Sequence, residues 1–165
     1  LYFDGLARSF FLRHADRKAL ERSAKKVDAV LREVDQLDLQ NSDASFVGIA
    51  QQEIAWAAEA TALAIQTSLA ALAYNAWRAD PRGFSARERS ALAKRLDQIA
   101  KTQSEQLDEL TRLWLARSET SEFEKTRKRA RKSIADLRAG AKRLRTGKAP
   151  RPPRKKTLAL LDVFN

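Results

Sequence analysis

Apolar and polar positions along the chain follow the spacing of α-helices, and one stretch is apolar on every side. Between Ala44 and Trp77 the sequence contains no proline, lysine or arginine, and its acidic residues are Glu53 and Glu59. A helix with apolar residues all round is buried on most of its sides, and alanine is the strongest helix former. We therefore predict that this stretch is the central helix of a bundle, with Asp43 as its N-cap.

Three other stretches have the one-sided periodicity of amphipathic helices. We predict a first helix from about Asp16 to Leu37, a third from a cap at Ser85 to about Ser118, and a fourth from a cap at Ser121 to about Arg145. Both serines precede a glutamate by three residues, which is the spacing of a capping box. The three apolar stripes are Leu20, Ala24, Val27, Leu31 and Val34; Leu92, Leu96, Ile99, Leu107, Leu110 and Trp114; and Phe123, Ala130, Ile134, Leu137, Ala141 and Leu144.

Turn signals separate these helices. Asp80 to Phe84 contains a proline that ends a helix and a glycine that permits positive φ. Gly147 is a candidate C-terminal stop for the fourth helix. Three prolines between Lys148 and Lys156 favour an extended polyproline II segment. The apolar run from Leu158 to Phe164 follows, and we expect it to dock on the bundle, on another domain or on a partner.

The predicted fold is therefore all-α: an elongated antiparallel bundle of about four helices, in which three amphipathic helices surround the central one. The bundle occupies residues 1–146, and a basic, proline-containing tail with a short apolar end occupies residues 147–165. Only 5 glycines and 4 prolines are present, too few for a turn-rich β-protein. A transmembrane span is the rival interpretation of the central stretch, but Glu59, Gln66 and several hydroxyl side chains argue against it.

Two sets of residues stand out within the predicted core faces. Gln103 and Gln106 interrupt the stripe of the third helix, which indicates a polar layer or looser packing there. The tryptophans have two interpretations, a sugar-stacking set or core residues, and helical spacing favours the core. They are Trp56, Trp77 and Trp114.

The chain has no cysteine, so disulfides, zinc fingers and thiol catalysis are excluded, although the compartment stays open. It also has no methionine, so we expect a fragment, a processed form or a trimmed chain. The opening residues 1–5, LYFDG, resemble the scar of a protease tag, with native sequence as the alternative.

Charge is distributed unevenly along the chain. The formal net charge is +11, from 32 lysines and arginines against 21 acidic residues. Between Lys125 and Lys156 there are 15 basic residues and one acid, Asp136, whereas the remainder has 17 basic and 20 acidic residues. The sequence therefore predicts a mildly acidic bundle with a strongly basic C-terminal third.

This basic third is the strongest chemical signal in the sequence. Lysines and arginines on a helix and an extended arm can neutralise phosphates and gain affinity through counterion release. Aromatic residues are not interleaved with them, which argues against stacking on single-stranded bases. The alternative is a solvated face, or one that meets an acidic surface of a larger protein. The candidate polyanion-binding residues are Lys125, Arg127, Lys128, Arg129, Arg131, Lys132, Lys142, Arg143, Arg145, Lys148, Arg151, Arg154, Lys155 and Lys156.

No catalytic constellation is recognisable, and we predict no catalytic residue, metal or cofactor. His14 is the only histidine, and one imidazole supplies neither a catalytic triad nor a histidine-rich metal site. Glu53 and Glu59 lie in the apolar stretch, but di-iron bundles need Glu-x-x-His pairs, which this chain lacks. No glycine-rich loop of the phosphate-cradling type occurs.

One short motif resembles a known family. Arg112 to Arg117, RLWLAR, ends a predicted long helix and resembles a C-terminal helical segment of bacterial β-N-acetylhexosaminidases of glycoside hydrolase family 20. There a Leu-Trp-x-x-Arg element closes a helix; Leu113, Trp114 and Arg117 match it. The following residues 118–123 depart from that family's Asn-Arg-x-Gly-Gly-Leu turn. The resemblance implies a non-catalytic helical part of an enzyme whose catalytic Asp-Glu pair lies in a TIM barrel.

Two functional hypotheses follow. In the first, the chain is a non-catalytic helical accessory or interaction domain, as in a glycoside hydrolase, and packs on another protein domain or subunit. In the second, it is a helical bundle that binds a polyanion such as nucleic acid through its basic C-terminal third. Neither hypothesis involves a membrane span or a cofactor.

Overall fold

The computed structural model describes residues 16–34, 36, 46–116 and 123–149. These residues form four α-helices and no strand, which confirms the predicted all-α class. The helices are α1 (Arg17–Val34), α2 (Phe46–Ala79), α3 (Ala86–Leu115) and α4 (Phe123–Thr146). Several predictions fall outside the described residues: the role of His14, the caps at Asp43 and Ser121, and the tail from residue 150 onward.

Each helix packs against its neighbours in sequence: α1 on α2, α2 on α3, and α3 on α4. Within the described ranges, no Cα atom of α4 lies within 8 Å of a Cα atom of α2. Neighbours run antiparallel, because Trp56 early in α2 bonds Gln106 late in α3, and Arg145 late in α4 pairs with Asp97 early in α3. The expectation that α2 is surrounded by three helices was wrong; α3 lies between α2 and α4, and α1 touches α2 alone.

The main core is shared by α2, α3 and α4. It is built from the predicted stripes of α3 and α4 and from the C-terminal half of α2. Tyr74 and Trp77 of α2 are 0% exposed, and their rings lie 5.4 Å apart. The members of this cluster are Leu63, Ala70, Ala71, Tyr74, Trp77, Leu92, Ala93, Leu96, Ile99, Ala100, Leu107, Phe123, Ile134, Leu137, Ala141 and Leu144.

The two halves of α2 have different surroundings. The C-terminal half lies against both α1 and α3 and is buried as predicted. In the N-terminal half, Ile54 is 59% exposed and Ala57, Glu59 and Thr61 are exposed too. Burial on most sides was therefore a correct prediction for the second half and a wrong one for the first, because α4 does not close over α2. No described helix, α2 included, combines enough length and apolar character to cross a membrane.

The link between α2 and α3 is a tight turn followed by a capping box, as predicted. Asp80 Oδ1 accepts a hydrogen bond from the Gly83 backbone N–H at 3.1 Å. A Cβ at position 83 would lie 2.3 Å from Asp80 Oδ2, so glycine is required there. The Glu88 N–H donates to Ser85 Oγ at 3.2 Å, and the Ser85 N–H donates to Glu88 Oε2 at 2.8 Å. These hydrogen bonds from Ser85 lower the pKa of the Glu88 carboxyl.

The remaining helix ends are close to the predicted ones. α1 ends at Val34 rather than Leu37, because the Gln36 N–H bonds to the Glu33 carbonyl and tightens the turn. α3 ends at Leu115, with Ala116 as its C-cap. Gly147 follows α4 with φ of +66°, a left-handed conformation that favours glycine, so the predicted stop is confirmed.

Candidate polyanion interface

The packing of α4 on α3 decides which of its side chains meet solvent. Phe123, Ile134, Leu137, Ala141 and Leu144 repeat at steps of three or four residues and are buried against the core. The opposite arc is left to solvent, and it contains most of the candidate cations. The exposed lysines and arginines of α4 and the residues just after it are Lys125, Lys128, Arg129, Arg131, Lys132, Arg138, Lys142, Arg145 and Lys148.

These cations fall into two groups along the helix. We call Lys125, Lys128, Arg129, Arg131, Lys132, Lys142 and Lys148 the basic face of α4. Five of the seven lie in the first three turns and two at the C-terminal end. At a rise of about 1.5 Å per residue, Lys128 and Lys142 are about 21 Å apart along the axis. The basic face is therefore a rod with a dense N-terminal patch and a second patch near its far end.

Some of the predicted site residues do not belong to this face. Arg127 and Arg143 are half-buried at its edges. Arg127 Nη2 pairs with Glu124 Oε1 at 2.7 Å, and Arg145 pairs with Asp97 of α3. The remaining four candidates, Arg151, Arg154, Lys155 and Lys156, lie outside the described residues. The structure thus brings the α4 cations together and partly neutralises two of them.

A groove between α3 and α4 runs along one edge of the basic face. Arg127, Arg131 and Arg138 line its α4 wall, and we call it the arginine groove. Its volume is about 460 Å³. Its remaining lining is apolar at the bottom and polar on the α3 side: Leu107, Ile134, Ala135, Ser104, Asp108 and Thr111.

The arginines in this groove are incompletely paired. Arg127 Nε is buried and has no hydrogen-bond partner, an arrangement that costs about 1–3 kcal/mol for a buried donor. Arg131 and Arg138 have no ion-pair partner among the described residues. Arg131 also borders the depression formed by Glu124, Lys125 and Lys128, so the groove and the basic face share a residue. An anion in the groove would therefore find donors that the protein itself does not use.

Arg138 was absent from the residues predicted from the sequence. The signal was available, because Arg127, Arg131 and Arg138 are spaced by four and then seven residues, which places them on one side of a helix. It was overlooked because Arg138 stands alone between two denser basic runs. Only the packing of α3 against α4 shows that this side lines a groove.

A second groove separates the N-terminal halves of α2 and α4, with α3 as its floor. It has a volume of about 350 Å³ and is lined in part by Trp56, Gln103, Gln106 and Arg129. Trp56 Nε1 donates a hydrogen bond to the Gln106 carbonyl at 3.0 Å. The two glutamines that interrupt the α3 stripe therefore lie where α2 and α4 diverge, which confirms the looser packing expected there.

Other candidate chemistry does not converge. Glu53 is half-buried and Glu59 is exposed, and the described residues contain no group of three or more metal-ligating side chains. The tryptophans do not share a surface either. Trp77 is fully buried in the core, and Trp114 stacks on Phe123 with ring centroids 5.5 Å apart.

Comparison of the chain with protein-family models, with curated proteins and with solved structures gave no match. The resemblance to family 20 glycoside hydrolases stays a prediction. Within the bundle, Leu113 is 2% exposed and Trp114 packs against the start of α4. Arg112 bonds Gln52 of α2 at 2.7 Å and Glu109 of α3 at 2.9 Å, and this pairing lowers the pKa of the Glu109 carboxyl.

Proposed function

We propose that the protein binds duplex nucleic acid through the basic face of α4. The observation that carries this proposal is the composition of the helix whose apolar stripe is buried. α4 has ten lysines and arginines and two acidic residues, whereas the neighbouring α3 has six and five. A face with one sign of charge attracts a polyanion, whereas a merely solvated face mixes both signs.

The arrangement of cations within α4 costs stability. Like charges four residues apart on a helix destabilise it by about 0.2–0.5 kcal/mol per pair. α4 contains four such pairs, at 125/129, 127/131, 128/132 and 138/142. A helix that only needed solubility would place acidic residues among these positions. The repeated like-charge pairs support a binding role, because bound phosphates would relieve the repulsion.

The dimensions of α4 suit a duplex. Its 24 residues form a rod about 36 Å long at about 1.5 Å per residue. Duplex DNA carries one negative charge per about 1.7 Å of axis, so many phosphates lie within the length of such a rod. No aromatic side chain lies on the exposed arc of α4, and stacking on aromatic residues is what single-strand binding typically uses. A duplex is therefore favoured over a single strand.

Salt dependence of binding tests this proposal. If about six side chains of the basic face contact phosphates, log K should fall with log[salt] at a slope of about −5. The measurement is fluorescence anisotropy with one labelled duplex at several NaCl concentrations. A single strand of the same sequence should bind more weakly at each concentration. A flat salt response, or no duplex binding even at low salt, would rule the proposal out.

The accessory-domain hypothesis is a second proposal, and it rests on different residues. Ile54 of α2 and Leu115 of α3 are 59% and 51% exposed, and large apolar side chains at the surface are typical of contacts with other proteins. Both are separate from the basic face. Replacing Ile54 and Leu115 by serine should leave duplex binding unchanged and should reduce any self-association or co-purification of the chain.

A further inference from the structure

We propose that the arginine groove binds a phosphate monoester, such as a nucleotide or the 5′-phosphate at the end of a nucleic-acid strand. The strand-end form of this inference rests on the proposed function, whereas the nucleotide form does not. The groove thus differs from the basic face, which tracks the phosphodiesters of the backbone.

The charge of the groove matches a dianion. Three guanidinium groups and one carboxylate, that of Asp108, line it and leave about two positive charges. A phosphate monoester carries about −1.5 to −2 charges at neutral pH. A backbone phosphodiester carries one, so it would leave the groove with uncompensated positive charge.

The shape of the groove also favours a compact ligand over a passing backbone. Walls from α3 and α4 enclose it, and Leu107 and Ile134 close its bottom as members of the main core. A volume of about 460 Å³ lies within the range of small-ligand sites. The bottom can accept the apolar part of a nucleoside while the arginines hold its phosphate. The lysines of the basic face have no such walls.

The side chains present the donors that a phosphate needs. Arg127 and Arg131 are one helical turn apart, so their planar guanidinium forks can approach one phosphate from two sides. Arg127 Nε is buried without a partner, and Arg131 has no ion-pair partner among the described residues. Ser104 lies on the α3 wall and supplies a hydroxyl. Glu124 pairs with Arg127 and competes with the ligand for it.

Binding of a nucleoside 5′-monophosphate tests the groove directly. Isothermal calorimetry on the full chain should show binding of the monophosphate and none of the unphosphorylated nucleoside. The double variant Arg127→Gln/Arg131→Gln should lose at least about tenfold in affinity, because two charge-assisted contacts are removed. The control Lys25→Gln/Lys26→Gln on α1 removes the same charge far from the groove and should bind as the wild type does. Equal weakening in both double variants would overturn the proposal, since it would indicate a general charge effect.

Two further variants separate a site from a charged surface. Arg127→Lys/Arg131→Lys keeps the charge but loses the planar forks, and it should bind the monophosphate less tightly than the wild type. Glu124→Gln releases Arg127 and should bind it more tightly. Unchanged affinity in both variants would contradict a role for these guanidinium groups in holding the phosphate.

Duplexes with and without 5′-phosphates identify the source of the monoester. The wild type should bind the phosphorylated duplex more tightly than the same duplex ending in 5′-hydroxyl groups, and Arg127→Gln/Arg131→Gln should lose this preference. Equal binding of both duplexes by the wild type would overturn the strand-end form and leave the proposed function standing. Binding of the mononucleotide without any duplex binding would instead contradict the proposed function and leave the groove as a nucleotide site.

Discussion

At the scale of single residues, Glu88 shows how local chemistry sets the position of a helix. Its side chain accepts hydrogen bonds from the Ser85 backbone N–H at 2.8 Å and from Ser85 Oγ at 2.7 Å. The Ser85 hydroxyl oxygen in turn accepts from the Glu88 N–H. These bonds stabilise the ionised carboxylate, which is why its pKa is lowered. α3 therefore starts at a defined residue, and the packing of α2 and α4 on it depends on that start.

The capping box predicts a specific pH dependence. A carboxyl whose pKa is lower in the folded state stabilises the fold above its unfolded pKa, and this contribution is lost as pH falls through the folded value. The wild type should therefore be more stable than Glu88→Gln at pH 7, and the difference should shrink on acidification below the ordinary pKa of a glutamate. Urea unfolding at several pH values measures this.

A matched control for that experiment is Glu105→Gln, in the middle of α3. Glu105 pairs with Lys101 at 3.7 Å on an exposed surface and caps no helix end. Such a pair contributes little, so its loss should change stability less than the loss of Glu88 at pH 7. A larger effect at Glu105, or a Glu88 difference that grows on acidification, would contradict the account.

At the scale of elements, the four helices are not equally committed to the core. α3 has neighbours on two sides, α2 and α4, and its apolar stripe is buried between them. α1 packs on α2 alone, and Val34 is its one buried side chain within the described part. Regions with few buried apolar contacts open more readily than the core. α1 is thus the least anchored of the described helices.

Hydrogen exchange should reveal this difference. Backbone amides of α1 should exchange through local opening, much faster than those of α3 between Leu92 and Leu107. The N-terminal half of α2 around Ile54 should exchange faster than its C-terminal half around Trp77, because the two halves differ in burial. Exchange followed by mass spectrometry measures both comparisons. Equal protection of α1 and α3 would show that α1 is held by more than its contact with α2.

The sequence predicted the helices well because each signal was local. The stripe of α4, the turn at Asp80–Phe84 and the stop at Gly147 depend on neighbouring residues and are confirmed. The arrangement of helices was predicted less well. An alanine-rich stretch looks equally apolar whether one or two partners cover it, so the exposure of Ile54 was missed. The groove at Arg138 was missed because it needs two helices to exist.

At the scale of the whole molecule, charge and packing are separated along the order of the helices. α2 carries two acidic residues and a single arginine at its end, and α3 mixes both signs. α4 lies at the far side of α3 from α2 and carries most of the excess positive charge. The basic face therefore points away from the acidic part of the bundle. This placement leaves its field uncompensated over one side of the molecule, as a polyanion-binding surface requires.

Charge reversal on one helix at a time is the most direct test of that claim. The two triple variants are Lys128→Glu/Lys132→Glu/Lys142→Glu on α4 and Lys18→Glu/Lys25→Glu/Lys26→Glu on α1, and both change the net charge equally. Duplex affinity at one low salt concentration is measured for both and for the wild type. We predict a loss of about a hundredfold or more for the α4 variant and of less than about tenfold for the α1 variant, because phosphate contacts are local. Equal losses in the two variants, or no loss in the α4 variant, would contradict the account.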